Sequence, residues 1–143
     1  MNDLPCPVSE GFTVSRLLAL SPEDIIAGAC FLDDRNPLHH DPVAAAASRF
    51  GGLIASGPHI AGLHAAMAAT ELSAYGAPLG LEFTIRYAAP VKPGTLTLTW
   101  TVTSVEPKPS LDGHFLRLSG EVRSDQGEAL ITSKGLVLLA RSI

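Results

Sequence analysis

The sequence predicts an α+β fold in which one antiparallel sheet wraps around one long central helix. Two observations carry this. A Gly57-Pro58 junction opens a helix running to about Tyr75, and its residues (Ile60, Ala61, Gly62, Leu63, Ala65 and Ala66 in the first turns) are apolar on nearly every side. That pattern belongs to a helix buried all round, and its small residues let a sheet close tightly over it. From Leu79 onward the pattern changes to period-two alternation in four runs separated by turn-forming residues, the mark of consecutive antiparallel strands. One sheet and one long helix share a core in the layer arrangement of α+β proteins. At 143 residues with no internal repeat or linker, residues 1–143 are expected to form a single domain.

The elements follow in order. Residues 1–11 are polar and proline-bearing and predict an arm or loop. Phe12 to Leu18 alternates as a first strand. Ser21-Pro22-Glu23-Asp24 is a helix start, with Ser21 as cap, Pro22 at the first helical position and Asp24 where a capping-box acid falls. Ile25, Ile26, Cys30 and Phe31 give that helix an apolar side. Asn36-Pro37 breaks it, because the residue before a proline is pushed toward extended geometry. Asp41-Pro42 repeats the capping logic for a second short helix to about Arg49, closed by Gly51-Gly52. The long helix comes next and Gly76 ends it. Leu81, Phe83, Ile85 and Tyr87 then alternate with Glu82, Thr84 and Arg86. Thr95 to Thr103 alternates strictly, with Leu96, Leu98, Trp100 and Val102 on one face and threonines on the other. Phe115 to Val122 and Leu130 to Leu139 complete the set. Pro90 to Gly94, Pro107 to Gly113 and Asp125 to Gly127 are the links, the last a tight hairpin.

Composition narrows the function classes. Apolar residues make up 46% of the chain and charged residues only 17%, which suggests apolar surface buried against another subunit. A net charge of −4 argues against a nucleic-acid partner, which calls for a basic patch. No run reaches membrane-spanning length. Cys6 and Cys30 show no metal or disulfide spacing and fit a reducing cytoplasm. The first residues, MNDLPCPVSEG, have neither the basic nor the apolar region of a signal peptide, so a cytoplasmic location is expected.

Asp33 to Ala69 holds the chemistry-bearing residues. Asp34 and His39 stand five positions apart on one loop, with Asn36 and Pro37 fixing the backbone between them. A carboxylate and an imidazole on a rigid turn can share a water, deprotonate it and return a proton to a substrate. Burial beside an apolar helix is expected to tune both toward neutrality. The same two residues also suit a turn cap and a hydrogen-bonded loop histidine. Gly57 precedes Pro58, so its N–H stands free at a helix N-terminus, where the dipole favours negative charge. A glycine there admits a carbonyl closely, as an oxyanion site requires; it equally suits a plain helix cap. His40 and Asp41 beside His39 raise a metal site, but adjacent residues on a turn rarely converge on one ion and Asp41 is better placed as a cap, so no metal is expected. His59 and His64 lie on different faces of the long helix and are expected to line a pocket or an interface. Glu71, late in that helix, is expected to pair at the surface.

D-R-N-P-L-H at Asp34 to His39, D-P at Asp41-Pro42 and F-G-G-L-I-A-S-G at Phe50 to Gly57 resemble the signature of the MaoC-like hydratases, which include the (R)-specific enoyl-CoA hydratases. R-Y-A-A-P-V at Arg86 to Val91 is similar to the strand and turn that follow the helix in that family. The resemblance spans about Phe12 to Leu139. Leu32-Asp33 stands where many members carry Ser-Gly, Ser56 where many carry His, and Pro58 where many carry Met or Trp.

The resemblance implies a hot-dog fold, usually dimeric, acting as a hydro-lyase that interconverts a trans-2-enoyl thioester and a (R)-3-hydroxyacyl thioester. Asp34 and His39 match its acid/base pair and Gly57 the residue whose amide binds the thioester oxygen. Asn36, Ser56 and His59 beside them are expected to bind substrate. No metal or redox cofactor is implied; coenzyme A or an acyl carrier protein brings the acyl group as its thioester. Two other readings share the fold. A hot-dog acyl-CoA thioesterase needs an acid at or just before the long helix, where only the distant Glu71 offers itself. A non-catalytic acyl-thioester-binding protein would have little use for an intact Asp34, His39 and Gly57.

Overall fold

The computed structural model describes residues 5–142. The elements are β1 (Thr13–Leu20), α1 (Pro22–Phe31), a 3-10 turn (Pro37–His39), α2 (Pro42–Ala47), α3 (Gly57–Leu72), β2 (Ala77–Tyr87), β3 (Gly94–Lys108), a second 3-10 turn (Pro109–Leu111), β4 (Gly113–Ser124) and β5 (Ala129–Ala140). The strands form one antiparallel sheet in the order β1-β3-β4-β5-β2, so β1 and β2 are its edges. This is the hot-dog arrangement of a long helix against an antiparallel sheet.

Local chemistry explains the boundaries. Ser21 caps α1 in a complete capping box: its hydroxyl accepts from the Asp24 N–H and the Asp24 carboxylate accepts from the Ser21 N–H. Asp41 caps α2 by accepting from the N–H groups of Val43 and Ala44. The alternating face of β3 is core: Leu96, Leu98, Trp100 and Val102 are all buried. In the β4–β5 hairpin Gly127 takes a left-handed φ of 82° and its N–H donates to the Ser124 carbonyl. The core joins these strands to α3 through Ile60, Met67 and Leu72, and to α1 through Ile25.

Of the arm or loop expected over residues 1–11, residues 1–4 lie outside those described, and the rest is a loop anchored to the fold: Val8 is buried and the Gly11 N–H donates to the Val102 carbonyl. Other expectations are corrected. Cys30 and Phe31 do not face the core; Phe31 is 91% exposed, and only Ile25 and Ala29 of α1 are buried. The link expected at Pro107 to Gly113 is shorter, since β3 and β4 stay paired to Lys108 and Gly113 and only Pro109 to Asp112 turns. The long helix stops at Leu72 rather than Tyr75. It is also not buried all round: Gly62, Leu63, Ala66 and Ala69 lie on an exposed face. Alanine and glycine count as apolar in a pattern yet bring little area to bury, so an Ala-rich helix can look enclosed in sequence while the sheet covers one side.

The centre of α3 is fixed by His64, which is 1% exposed. It lines neither a pocket nor an exposed interface. Its Nε2–H donates to the Thr99 carbonyl at 2.8 Å, and its ring stacks on Trp100 with centroids 4.2 Å apart. The Trp100 Nε1–H donates in turn to the His64 carbonyl at 2.8 Å. Gly120 makes the room, because a Cβ there would stand 2.5 Å from Trp100 and 2.7 Å from His64.

Candidate active site

The site is assembled where α1 ends and α3 begins. At the end of α1 the N–H of Asp33 donates to the Cys30 carbonyl and that of Asp34 to the Ala29 carbonyl. Asp33 accomplishes the reversal in a left-handed conformation with φ 53°. Asp tolerates that region better than most side chains, which accounts physically for an aspartate at the place where the family resemblance expects glycine. Asp34 is thereby aimed back toward α3. Asn36 braces the loop from both sides: its N–H donates to Asp34 Oδ1 at 3.2 Å and its own side chain accepts from the Leu38 N–H at 3.1 Å. His40 braces it from beneath, its Nε2 bonded to the Asp34 carbonyl and its Nδ1 3.8 Å from Cys30 Sγ.

His39 is buried, on the turn that Pro37 opens. Its Nδ1 lies 2.6 Å from the Ile54 carbonyl. A carbonyl can only accept, so Nδ1 carries the proton and Nε2 of the neutral ring presents a lone pair. That Nε2 faces Asp34 Oδ2 at 3.6 Å. The Ile54 N–H donates to the Leu38 carbonyl, so the segment before α3 and the histidine turn are bonded both ways.

Ser56 closes the arrangement. It is fully buried, and its hydroxyl donates to Asp34 Oδ2 at 2.6 Å. Next in sequence stands Gly57, the first residue of α3, whose N–H has no protein acceptor among the described residues. One hydroxyl thus ties the carboxylate to the residue that precedes the free amide. A Cβ on Gly57 would meet the Tyr87 ring at 2.8 Å, so the ring lies close against the glycine.

The electrostatics differ from the expectation of tuning toward neutrality. The Asp34 carboxyl is held below its ordinary value, first by the Ser56 hydroxyl and then by the Asn36 N–H, with smaller help from His39 and His40; desolvation opposes them and loses. Donors to the ionised form outweigh partial burial, and Asp34 remains a carboxylate at neutral pH.

Asp34, His39, Ser56 and Gly57 are therefore brought together, whereas the other sequence candidates take other places. The hydroxyl of Ser56 donates to Asp34, which suits it to position the carboxylate. Asn36 braces the loop through its N–H and its Oδ1, and the residue is otherwise exposed. The His59 ring packs over Gly28 of α1, where a Cβ would stand 2.2 Å from it, and desolvation lowers its pKa. Glu71 pairs with Arg16 at 2.6 Å. Asp41 is spent as a helix cap. The Ser56 tether and the Ile54 carbonyl escaped sequence reasoning, since each is a contact between segments and leaves no spacing to read; the His40 brace lies within the loop, but it is made to a main-chain carbonyl that no residue type announces.

A hot-dog domain with a carboxylate, an imidazole and a free helix-terminal amide at the mouth of its long helix is the class these coordinates define. Residues 7–112 match the model of the MaoC-like domain, and the chain belongs to that family. Among solved structures it is similar to the R-hydratase PhaJ1 from Pseudomonas aeruginosa, at 26% identity over 94% of this chain and 83% of that one with a TM-score of 0.82. It is likewise similar to the MaoC-like dehydratase from Rhodospirillum rubrum, at 26% identity over 94% of each chain with a TM-score of 0.80. The (R)-hydratase from A. caviae involved in PHA biosynthesis shares the fold, at 22% identity over 93% of this chain and 98% of that one with a TM-score of 0.82. No curated protein is matched by the sequence. Among the described residues no helix is long and apolar enough to cross a membrane.

Proposed function

We propose that this chain is a hydro-lyase that adds water to trans-2-enoyl thioesters to give (R)-3-hydroxyacyl thioesters, or removes it in reverse. Membership of the MaoC-like family and the likeness to an R-hydratase and a MaoC-like dehydratase support hydration and dehydration. The observation that carries the mechanism is the 3.6 Å approach of His39 Nε2 to Asp34 Oδ2. Both atoms are acceptors when the ring is neutral, so they repel unless something donates to both. A water with one hydrogen on each does this and leaves its oxygen lone pairs free.

The reaction then follows from the geometry. The thioester oxygen accepts from the Gly57 N–H, which polarises the conjugated system. The water oxygen adds at the β-carbon as negative charge moves to the thioester oxygen. The pair takes up one water proton, and the site returns a proton to the α-carbon. One oxyanion donor of this kind is worth about 3 kcal/mol, and a positioned acid/base pair adds roughly 10²–10⁴-fold. Atoms and electrons balance without a metal or redox cofactor.

The setting we infer is a single MaoC-like domain over residues 1–143, acting on a coenzyme A or acyl carrier thioester in the cytoplasm as a homodimer. Free Cys6 and Cys30 fit that compartment. Leu79 and Leu81, left exposed on edge strand β2, and the open face of α3 support a second copy. The thioesterase alternative is disfavoured by Glu71, which is paired with Arg16 and stands 14 residues along the helix from Gly57, about 21 Å at 1.5 Å per residue.

The test is incubation with crotonyl-CoA and with longer and branched enoyl-CoAs. Loss of the conjugated enoyl absorbance without release of thiol is expected. Release of free thiol would establish a thioesterase. Silence across the panel, with Asp34→Ala indistinguishable from wild type, would leave a binding protein.

A further inference from the structure

Tyr87 is the last residue of β2, and its ring lies against Gly57, with Cε1, Cζ and Cδ1 at 2.8, 2.9 and 3.3 Å from where a Cβ would stand. Outside the glycine's own chain neighbours and helix turn, no atom comes nearer that position, so the aromatic ring is the nearest group across the fold from the residue offering the free amide. The backbone that carries the ring is anchored: just beyond it the N–H groups of Ala88 and Ala89 both reach the Leu130 carbonyl, and Tyr87 pairs with Ile131 of β5. Yet the side chain is 52% exposed. One part of it is spent on Gly57 and the remainder is open.

A donor at an open helix end is a poor oxyanion site. Water competes for the N–H, and the high dielectric around it weakens the field on developing charge. An aromatic wall on one side removes part of that water and limits the directions from which a carbonyl can approach. We propose that Tyr87 is a positioning residue of the reaction: its ring forms the wall that steers the thioester carbonyl onto the Gly57 amide and keeps competing water from it. This rests on the hydratase reading above and adds to it a residue that neither the acid/base pair nor the amide accounts for. An alanine at position 57 would push the ring aside, since its methyl would stand 2.8 Å from Cε1.

The closing experiment measures kcat and KM for crotonyl-CoA hydration in wild type, Tyr87→Ala, Tyr87→Phe, Gly57→Ala and the Gly57→Ala/Tyr87→Ala double variant, with a thermal melt of each. Wild type without activity on any enoyl thioester sinks the hydratase reading itself. With an active wild type, Tyr87→Ala is expected to lose roughly tenfold or more in kcat, with a smaller rise in KM, because orientation matters most as charge develops. The side chain is half out of the protein, so the melt is expected to stay close to wild type. Tyr87→Phe keeps the wall and is expected to recover most of the lost kcat. The double variant is expected to be no worse than Gly57→Ala alone, since the methyl has already displaced the ring. A folded Tyr87→Ala with wild-type kcat overturns the proposal, as does a Tyr87→Phe no better than Tyr87→Ala.

Discussion

His39 and His64 are built alike and serve opposite ends. Each is almost fully buried, and each spends one ring N–H on a main-chain carbonyl, Ile54 at 2.6 Å and Thr99 at 2.8 Å. The difference lies in the second nitrogen. In His39 it looks at the Asp34 carboxylate beside a free amide. In His64 it is sealed without a hydrogen-bond partner beneath Trp100. A fixed tautomer is therefore a common device of the core and not by itself a sign of catalysis. Chemistry arises where the remaining lone pair meets an acceptor across a gap that a water can fill.

The comparison breaks most severely at the carboxylate. Asp34→Asn keeps the size of the side chain but removes its charge, and the amide can offer N–H to Nε2 in place of the shared water. Hydration is expected to fall roughly 10²–10⁴-fold. His39→Gln is expected to fall within the same range, and the double variant little further, because the two act on one water. His64→Leu is the control that should leave kcat and KM in place. A steady-state assay on the four proteins settles it; equal losses at His39 and His64 would mean that both histidines matter only to the fold.

A smaller effect sharpens the contrast by acting through the neighbour. Ser56→Ala takes away the strongest donor to Asp34. Activity is expected to fall roughly tenfold, the scale of one hydrogen bond to a charged group. The titration of Asp34 itself, followed by NMR, is more telling. That hydroxyl holds the carboxyl pKa down, so its loss lets the pKa rise and moves the Asp34 titration to higher pH. An unmoved titration would show that Ser56 serves packing alone.

The two histidines also mark what was legible in the sequence. The Asp34–His39 pair could be read because both residues lie within six positions on a loop whose Asn36-Pro37 leaves little backbone freedom. Gly57 before Pro58 equally suits a plain helix cap, and it could be read only through its place in the family signature from Phe50 to Gly57. The strict alternation of Leu96 to Val102 gave away β3 for the same local reason. His64 was not legible. Its place depends on Thr99, Trp100 and Gly120, three residues from two distant strands that become neighbours only when the sheet closes over α3. The Ser56 tether and the Tyr87 contact are hidden likewise, each joining segments more than twenty residues apart. The open face of α3 was misread because a pattern of small apolar residues records what burial permits rather than what it compels. Asp34 was expected to shift toward neutrality because burial was visible in the pattern and its donors were not.

The gentlest test concerns stability rather than turnover, and it bears on His64 alone. Desolvation holds the His64 pKa below its ordinary 6.5, with the Thr99 carbonyl opposing and losing. The folded state thus prefers the neutral ring, while the unfolded chain takes up the proton. Stability from this site is fully present above pH 6.5 and is lost as pH falls below it, at up to about 1.4 kcal/mol per pH unit. His59 is depressed in the same direction by burial and contributes to the same window. The lowered carboxyls of Asp24 and Asp34 act lower, below their ordinary 3.8, and do not blur it. His64→Leu cannot be protonated and fills a similar volume against Trp100. At pH 8 its stability is expected to lie within about 1 kcal/mol of wild type, the value of the one hydrogen bond lost to Thr99. Between pH 6.5 and 4.5 its denaturation midpoint is expected to fall less steeply than that of wild type, retaining only the share due to His59. Two parallel curves across that range would mean that the sealed nitrogen finds a proton in the fold without cost, and the difference between the two histidines would then be one of place alone.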